Sequence, residues 1–177
     1  MQSSSKVRLR QIEEKDLEAL YLWMQDADLL RSINRNEKTT WLSHMDWYHR
    51  VLHDEGQIVF SVEDSGSGQL LGQCGLKKID HKNKKAEVWI FIGENKMRGK
   101  GYGREVVNNL IRYAFEEKEF NRLYLYVVDF NTRAERFYEK LGFRREGFFK
   151  QDVCIDGIFH DTIHMAILRE EYKEARE

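Results

Sequence analysis

With 177 residues the chain has the length of one domain and can bury a sizeable core. Apolar residues make up 41% and charged ones 33%, and 29 Lys plus Arg against 30 Asp plus Glu leave a net charge of −1. That balance gives no general pull toward nucleic acid or an anionic membrane. No apolar run approaches the ~20 residues of a membrane span, and the opening MQSSSKVRLR lacks a signal peptide's apolar stretch. Cys74 and Cys154 show no metal or redox spacing, so the expectation is a reduced cytoplasmic setting with no metal site. The chain contains no proline.

In chain order, the patterning predicts a strand near 6–10, helices over 13–25 and 41–53, and strands over 57–63, 69–79 and 84–93. Ser65-Gly66-Ser67-Gly68 reads as a hairpin turn, and Asp80–Lys85 as another. A helix over 102–118 follows, with Val106, Val107, Leu110, Ile111, Ala114 and Phe115 on one apolar stripe. The β-branched and aromatic run from Asn121 to Val128 predicts a strand. Ala134, Phe137, Tyr138 and Leu141 share one face of a helix over 132–141, which Gly142 stops; strands over 143–152 and 158–168 complete the chain. The result is an α/β domain over residues 6–168 with a mixed, mostly antiparallel sheet, flanked by an N-terminal tail of residues 1–5 and a polar tail over 169–177.

The turn Arg98-Gly99-Lys100-Gly101-Tyr102-Gly103-Arg104, between a strand and an amphipathic helix, carries the most chemistry. Freed N–H groups at a helix N-terminus, backed by the helix dipole, bind anions, and glycines let a bulky phosphate approach the main chain. It is no P-loop, because Gly101 follows Lys100 where Ser or Thr is needed. Its GxGxG spacing also misses the dinucleotide fingerprint. Arg98, Gly101 and Gly103 fit Arg-x-x-Gly-x-Gly, which resembles the acetyl-CoA-binding motif of the GNAT superfamily of N-acetyltransferases. Downstream, Asn131-x-x-Ala134-x-x-x-Tyr138-Glu139-Lys140-x-Gly142-Phe143 is similar to the GNAT segment that closes over coenzyme A. The resemblance spans roughly residues 6–168.

It implies acetyl-CoA as cosubstrate. Phe91, Ile92 and Gly93 would offer backbone partners to the pantetheine arm, and Arg98 to Arg104 would cradle the pyrophosphate with Arg98 and Lys100 adding charge. Asn131 would serve as helix N-cap or coenzyme A contact, and Tyr138 would aim its hydroxyl at the thioester sulfur. Asn95 stands where many family members carry proline.

Acetyl transfer to an amine requires removal of a proton, since a lysine-like amine is neutral about one time in 10³ at pH 7, a cost of roughly 4.6 kcal/mol. Glu87, fourteen positions before Gly101, resembles the catalytic glutamate of the histone-acetyltransferase branch; its alternative is a solvated glutamate balancing Lys84 and Lys85. Glu94 and Glu37 are the fallback bases, and Tyr138 is the acid for the thiolate. Residues 21–53 are the expected acceptor region, with Trp23, Glu37, His44 and Trp47 as substrate residues. His44 and His49, five apart, face different ways and form no metal pair. Residues 40–48 resemble amino-sugar-nucleotide acetyltransferases, and residues 156–165 resemble both those and spermidine acetyltransferases. The expected acceptor is therefore a small-molecule amine, either an amino-sugar nucleotide or a polyamine. The alternatives are a ribosomal-protein N-terminus and a non-catalytic acyl-CoA-binding module. No nucleic acid or membrane partner is expected, and a homodimer is left open.

Overall fold

The computed structural model describes residues 5–35 and 37–174. Seven strands form one sheet: β1 (Val7–Gln11), β2 (Ile58–Asp64), β3 (Leu70–Asp80), β4 (Lys85–Ile92), β5 (Arg122–Val128), β6 (Arg144–Ile155) and β7 (Ile158–Leu168). Their spatial order is β1-β2-β3-β4-β5-β7-β6. Among the described residues, β4 and β5 are the parallel pair and every other neighbour is antiparallel. The expected mixed, mostly antiparallel sheet is what forms.

Among the described residues six α-helices accompany it: α1 (Leu17–Trp23), α2 (Ala27–Ser32), α3 (Trp41–Val51), α4 (Tyr102–Arg112), α5 (Thr132–Glu139) and α6 (Arg169–Glu174). The helix expected over 13–25 is a 3₁₀ turn, Glu14–Asp16, running into α1. α2 was not foreseen; the Asp26 carboxylate starts it by accepting from the N–H groups of Asp28 and Leu29. Residues 169–174 are helical rather than a plain polar tail, and Tyr172 packs its ring 5.4 Å from that of Phe115. Residues 1–4 and 175–177 of the expected tails lie outside the described residues.

The predicted stripe of α4 and the π-turn that extends it is buried at all six positions, against the apolar face of the central strands. A second apolar cluster joins α1, α2 and α3 to Val59 and Phe91. A buried polar network fastens β1 to the sheet: Arg10 pairs with both Asp16 and Glu63, Ser61 donates to Asp16 at 2.7 Å, and Arg8 also pairs with Glu63. Burial pushes both carboxyls up, but these partners outweigh it and hold each below its ordinary range. No helix among the described residues is long and apolar enough to cross a membrane.

Candidate active site

The parallel pairing of β4 with β5 lasts only three residues, Lys85 to Arg122, Ala86 to Leu123 and Glu87 to Tyr124. Beyond Glu87 the two strands part, while β4 stays paired to β3 as far as Ile92. A central sheet that opens this way leaves unpaired main chain facing a gap, an edge that a peptide-like ligand can extend. The Phe91 carbonyl lies against Gly72 of β3, and the Gly93 N–H donates to Leu71 at 2.9 Å. By strand alternation it is therefore the main chain of Val88 and Ile90, with the Ile92 N–H, that faces the gap; the Ile92 carbonyl is taken by Arg98. Of the predicted trio, Phe91 and the Gly93 N–H are spent on β3.

A cavity of about 490 Å³ lies at this fork, and Glu87, Asn131 and Tyr138 all line it. Glu87 is 7% exposed, the last residue before the strands part. Its partners are Lys77 and Lys78, each with Nζ 2.9 Å from a different carboxylate oxygen, and not Lys84 and Lys85. Two consecutive strand residues ordinarily point to opposite faces. Here the register shifts after Lys77, and Lys78 has φ of 50°, so a bulge turns both ammonium groups onto one carboxylate. The pairing holds the Lys78 ammonium above its ordinary range. The buried Glu87 Oε2 has no aligned hydrogen-bond donor among the described residues, so it keeps acceptor capacity toward the cavity.

Tyr138 comes from α5, which Asn131 caps by accepting from the Ala134 N–H at 3.1 Å. Its half-buried ring packs 5.1 Å from that of Phe137 and 5.6 Å from that of Phe143, and burial pushes the phenol up to about 12. The group is thus a proton donor at any ordinary pH. Gly142, at φ 94°, ends the helical turn as its sequence position predicts.

The cradle has the geometry of an anion site. Gly99 and Gly101 sit at φ 78° and 89°, and a Cβ at either would enter open space. Gly101 is the N-cap of α4. Gly103 is ordinary helix, with room for a Cβ 3.7 Å from Phe137. The Arg98 side chain is directed elsewhere than the phosphates: Nε donates to the Ile92 carbonyl at 2.8 Å, tying the cradle to the end of β4. Tyr102 likewise donates its hydroxyl to Asp64 at 2.9 Å, anchoring the first turn of α4 to the β2–β3 hairpin. This open, left-handed turn at the N-terminus of α4 fits the pyrophosphate of coenzyme A.

The four predicted substrate residues do not line the cavity. His44 is buried, donates from Nε2 to the Leu17 carbonyl at 3.1 Å and stacks on Trp47 at 5.5 Å. Burial lowers its pKa, so it is a neutral core histidine. Trp23 packs edge-on to Phe91 and lies where a Cβ of Gly93 would be. Glu37 is exposed in the segment between α2 and α3. His44 and Trp47 pack on each other, while Trp23 packs on Phe91 of β4. Residues that do line the cavity but went unforeseen include Lys77, Lys78, Tyr126, Phe149 and Arg31. The Lys-Lys pair closing an apolar strand was the available signal.

The chain matches the family model described as an acetyltransferase (GNAT) domain over residues 9–165. It is 27% identical over 169 residues to the spermidine N(1)-acetyltransferase of Vibrio cholerae, covering 96% of each chain. It is 29% identical over 172 residues to that of Escherichia coli K12, covering 97% of this chain and 91% of the relative. A putative ribosomal N-acetyltransferase, YdaF of Bacillus subtilis, is 32% identical over 106 residues, 60% of this chain and 57% of the relative. The crystal structure of the Vibrio cholerae spermidine N-acetyltransferase with CoA and spermine superposes with a TM-score of 0.90 at 27% identity, covering 96% of this chain and 99% of the other. The chain belongs to the GNAT family and is an acetyl-CoA-dependent N-acetyltransferase.

Proposed function

We propose that the enzyme transfers the acetyl group to a primary amine of a small molecule, by direct attack with both substrates bound at the fork. One observation carries this: Glu87 of β4 and Tyr138 of α5, unconnected in sequence, line one cavity where the sheet opens. The pantetheine arm would lie along the gap-facing main chain of β4, its pyrophosphate on the α4 N-terminus. The Glu87 carboxylate would draw the amine's proton through a water molecule, since both oxygens already have an ammonium close by. The Tyr138 phenol would supply the proton for the departing thiolate.

The spermidine-acetylating relatives support a small amine, polyamine or amino-sugar nucleotide, as acceptor. A protein N-terminus is the second reading, supported by the Bacillus subtilis relative. Thiol release with polyamines, amino-sugar nucleotides and N-terminal peptides, with each product identified by mass, tests both. Turnover confined to peptides would replace the first reading with the second. Acetyl-CoA binding without turnover of any amine would leave a binding module instead.

A further inference from the structure

The charges around the fork do not match a polycation. Arg31, Lys77 and Lys78 line the cavity with Glu87 and Asp152; Arg31 is engaged by Asp156 and Asp28, which leaves Lys77 and Lys78 as the cations that face the fork. Neither carboxylate is at leisure: Glu87 lies between the two lysines, and Asp152 accepts the Thr162 hydroxyl at 2.6 Å. Nor are these cations placed for the pyrophosphate of coenzyme A, because no residue of the Gly99–Gly103 cradle lines this cavity. The aromatic wall is similarly pre-empted. Lys78 Nζ already stands 5.6 Å over the Tyr126 ring, the face a substrate ammonium would seek.

The lysine pair is built at a cost. Only a bulge with a left-handed Lys78 brings two consecutive side chains to one carboxylate, and a non-glycine residue at positive φ is strained. One carboxylate cannot balance two ammonium groups, so the cluster of Lys77, Lys78 and Glu87 is locally positive. From this geometry we infer that the acceptor is an amine whose scaffold also carries an oxyanion, phosphate or carboxylate, held by Lys78 and Lys77. Phe149, half exposed at the cavity wall, would flank a ring or sugar on the same scaffold. This rests on the fork being the acceptor site, and it names the class of acceptor.

The test compares kcat/KM for amines that share reach but differ in charge: spermidine, an uncharged amino sugar, the same sugar as its phosphate and as a nucleotide diphosphate, and an amino acid with a free carboxylate. An anionic amine should exceed spermidine by at least tenfold, with the preference shrinking as salt rises. The phosphate and carboxylate arms distinguish the two oxyanions. Lys78→Asn removes the charge but tolerates the left-handed backbone. It should lower kcat/KM for the anionic amine about 10–100-fold, the worth of one charge-assisted hydrogen bond, and leave the acetyl-CoA KM unchanged. Lys77→Gln provides a second variant with no backbone requirement, with the same expectation. A preference for spermidine over every anionic amine, or an anionic-amine rate unmoved in both variants, overturns this inference alone. Acetyl-CoA binding with no amine acetylated overturns the small-amine reading beneath it as well.

Discussion

Replacing Tyr138 with Phe removes one oxygen, and the structure says what that oxygen does not do. Among the described hydrogen bonds none involves the Tyr138 hydroxyl, while its ring packs on Phe137 and Phe143. Deleting the hydroxyl therefore breaks no described bond and leaves the packing intact, so the stability change should stay within about 1 kcal/mol. The acetyl-CoA KM should hardly move, since the cradle and the gap-facing strand are untouched. If the phenol is the acid for the thiolate, its loss costs about 10²–10⁴ in the chemical step, or roughly 2.7–5.4 kcal/mol. Burial pushes this phenol up to about 12, so it stays protonated across the assay range and the deficit should be the same at pH 7 and at pH 9.5. Single-turnover kinetics with acetyl-CoA and the preferred amine isolate that step from product release. An unchanged single-turnover rate in a folded Tyr138→Phe protein would reduce Tyr138 to a packing residue. A wild-type alkaline limb near pH 10 that disappears in the variant would contradict the buried phenol.

Gly101→Val places a β-branched residue at φ 89° and fills the open side of the cradle, so the acetyl-CoA KM should rise at least tenfold; an unchanged KM in a folded variant refutes the cradle. Glu87→Gln should lower kcat by about 10²–10⁴, whereas an unchanged kcat would place the base elsewhere. Arg10→Met leaves buried Asp16 without its cation and Glu63 with Arg8 alone, and should cost about 3–5 kcal/mol in denaturant unfolding; a loss under 1 kcal/mol would show that the network contributes little. Asp16 and Glu63 sit below their ordinary values of 3.8 and 4.5, so the unfolded chain binds more protons in acid. Their stabilisation should be full above those values and fade as pH falls through the lower folded ones, a slope that Arg10→Met should flatten.

What could be read from the chain was local. Gly99 and Gly101 announce their left-handed backbone by residue type, and the stripe from Val106 to Phe115 announces its burial by period, so cradle and helix were legible together. The Asn131 cap and the Gly142 stop are equally short-range. The acceptor side was not. His44, Trp23 and Trp47 look like pocket residues because they are polar or aromatic and close in sequence, yet those properties also let α1 and α3 build their own small core. Lys77 and Lys78 reach Glu87 across a strand pair and through a bulge, and no local pattern records which residue a bulge will aim. Helix α2 has six residues, too few for a periodic signal, and only Asp26 marked its start.

The same distinction explains how cofactor and acceptor chemistry can be separately built in one fold. The cofactor end is held by α4, whose first turn is fixed from two other elements: Tyr102 donates to Asp64 of β2, and Glu105 accepts the Lys6 N–H at 2.6 Å beside β1. Arg98 adds a third tie, to the Ile92 carbonyl at the end of β4. These contacts set the anion site before any ligand arrives, so ordering it is not charged against binding. The acceptor end hangs instead on the point where β4 leaves β5, and on the bulge opposite that point. Altering Lys77 or Lys78 touches none of the α4 anchors. Under the proposed reading, the charge presented at the fork can therefore be altered at Lys77 or Lys78 while the ties that hold the first turn of α4 stay as they are.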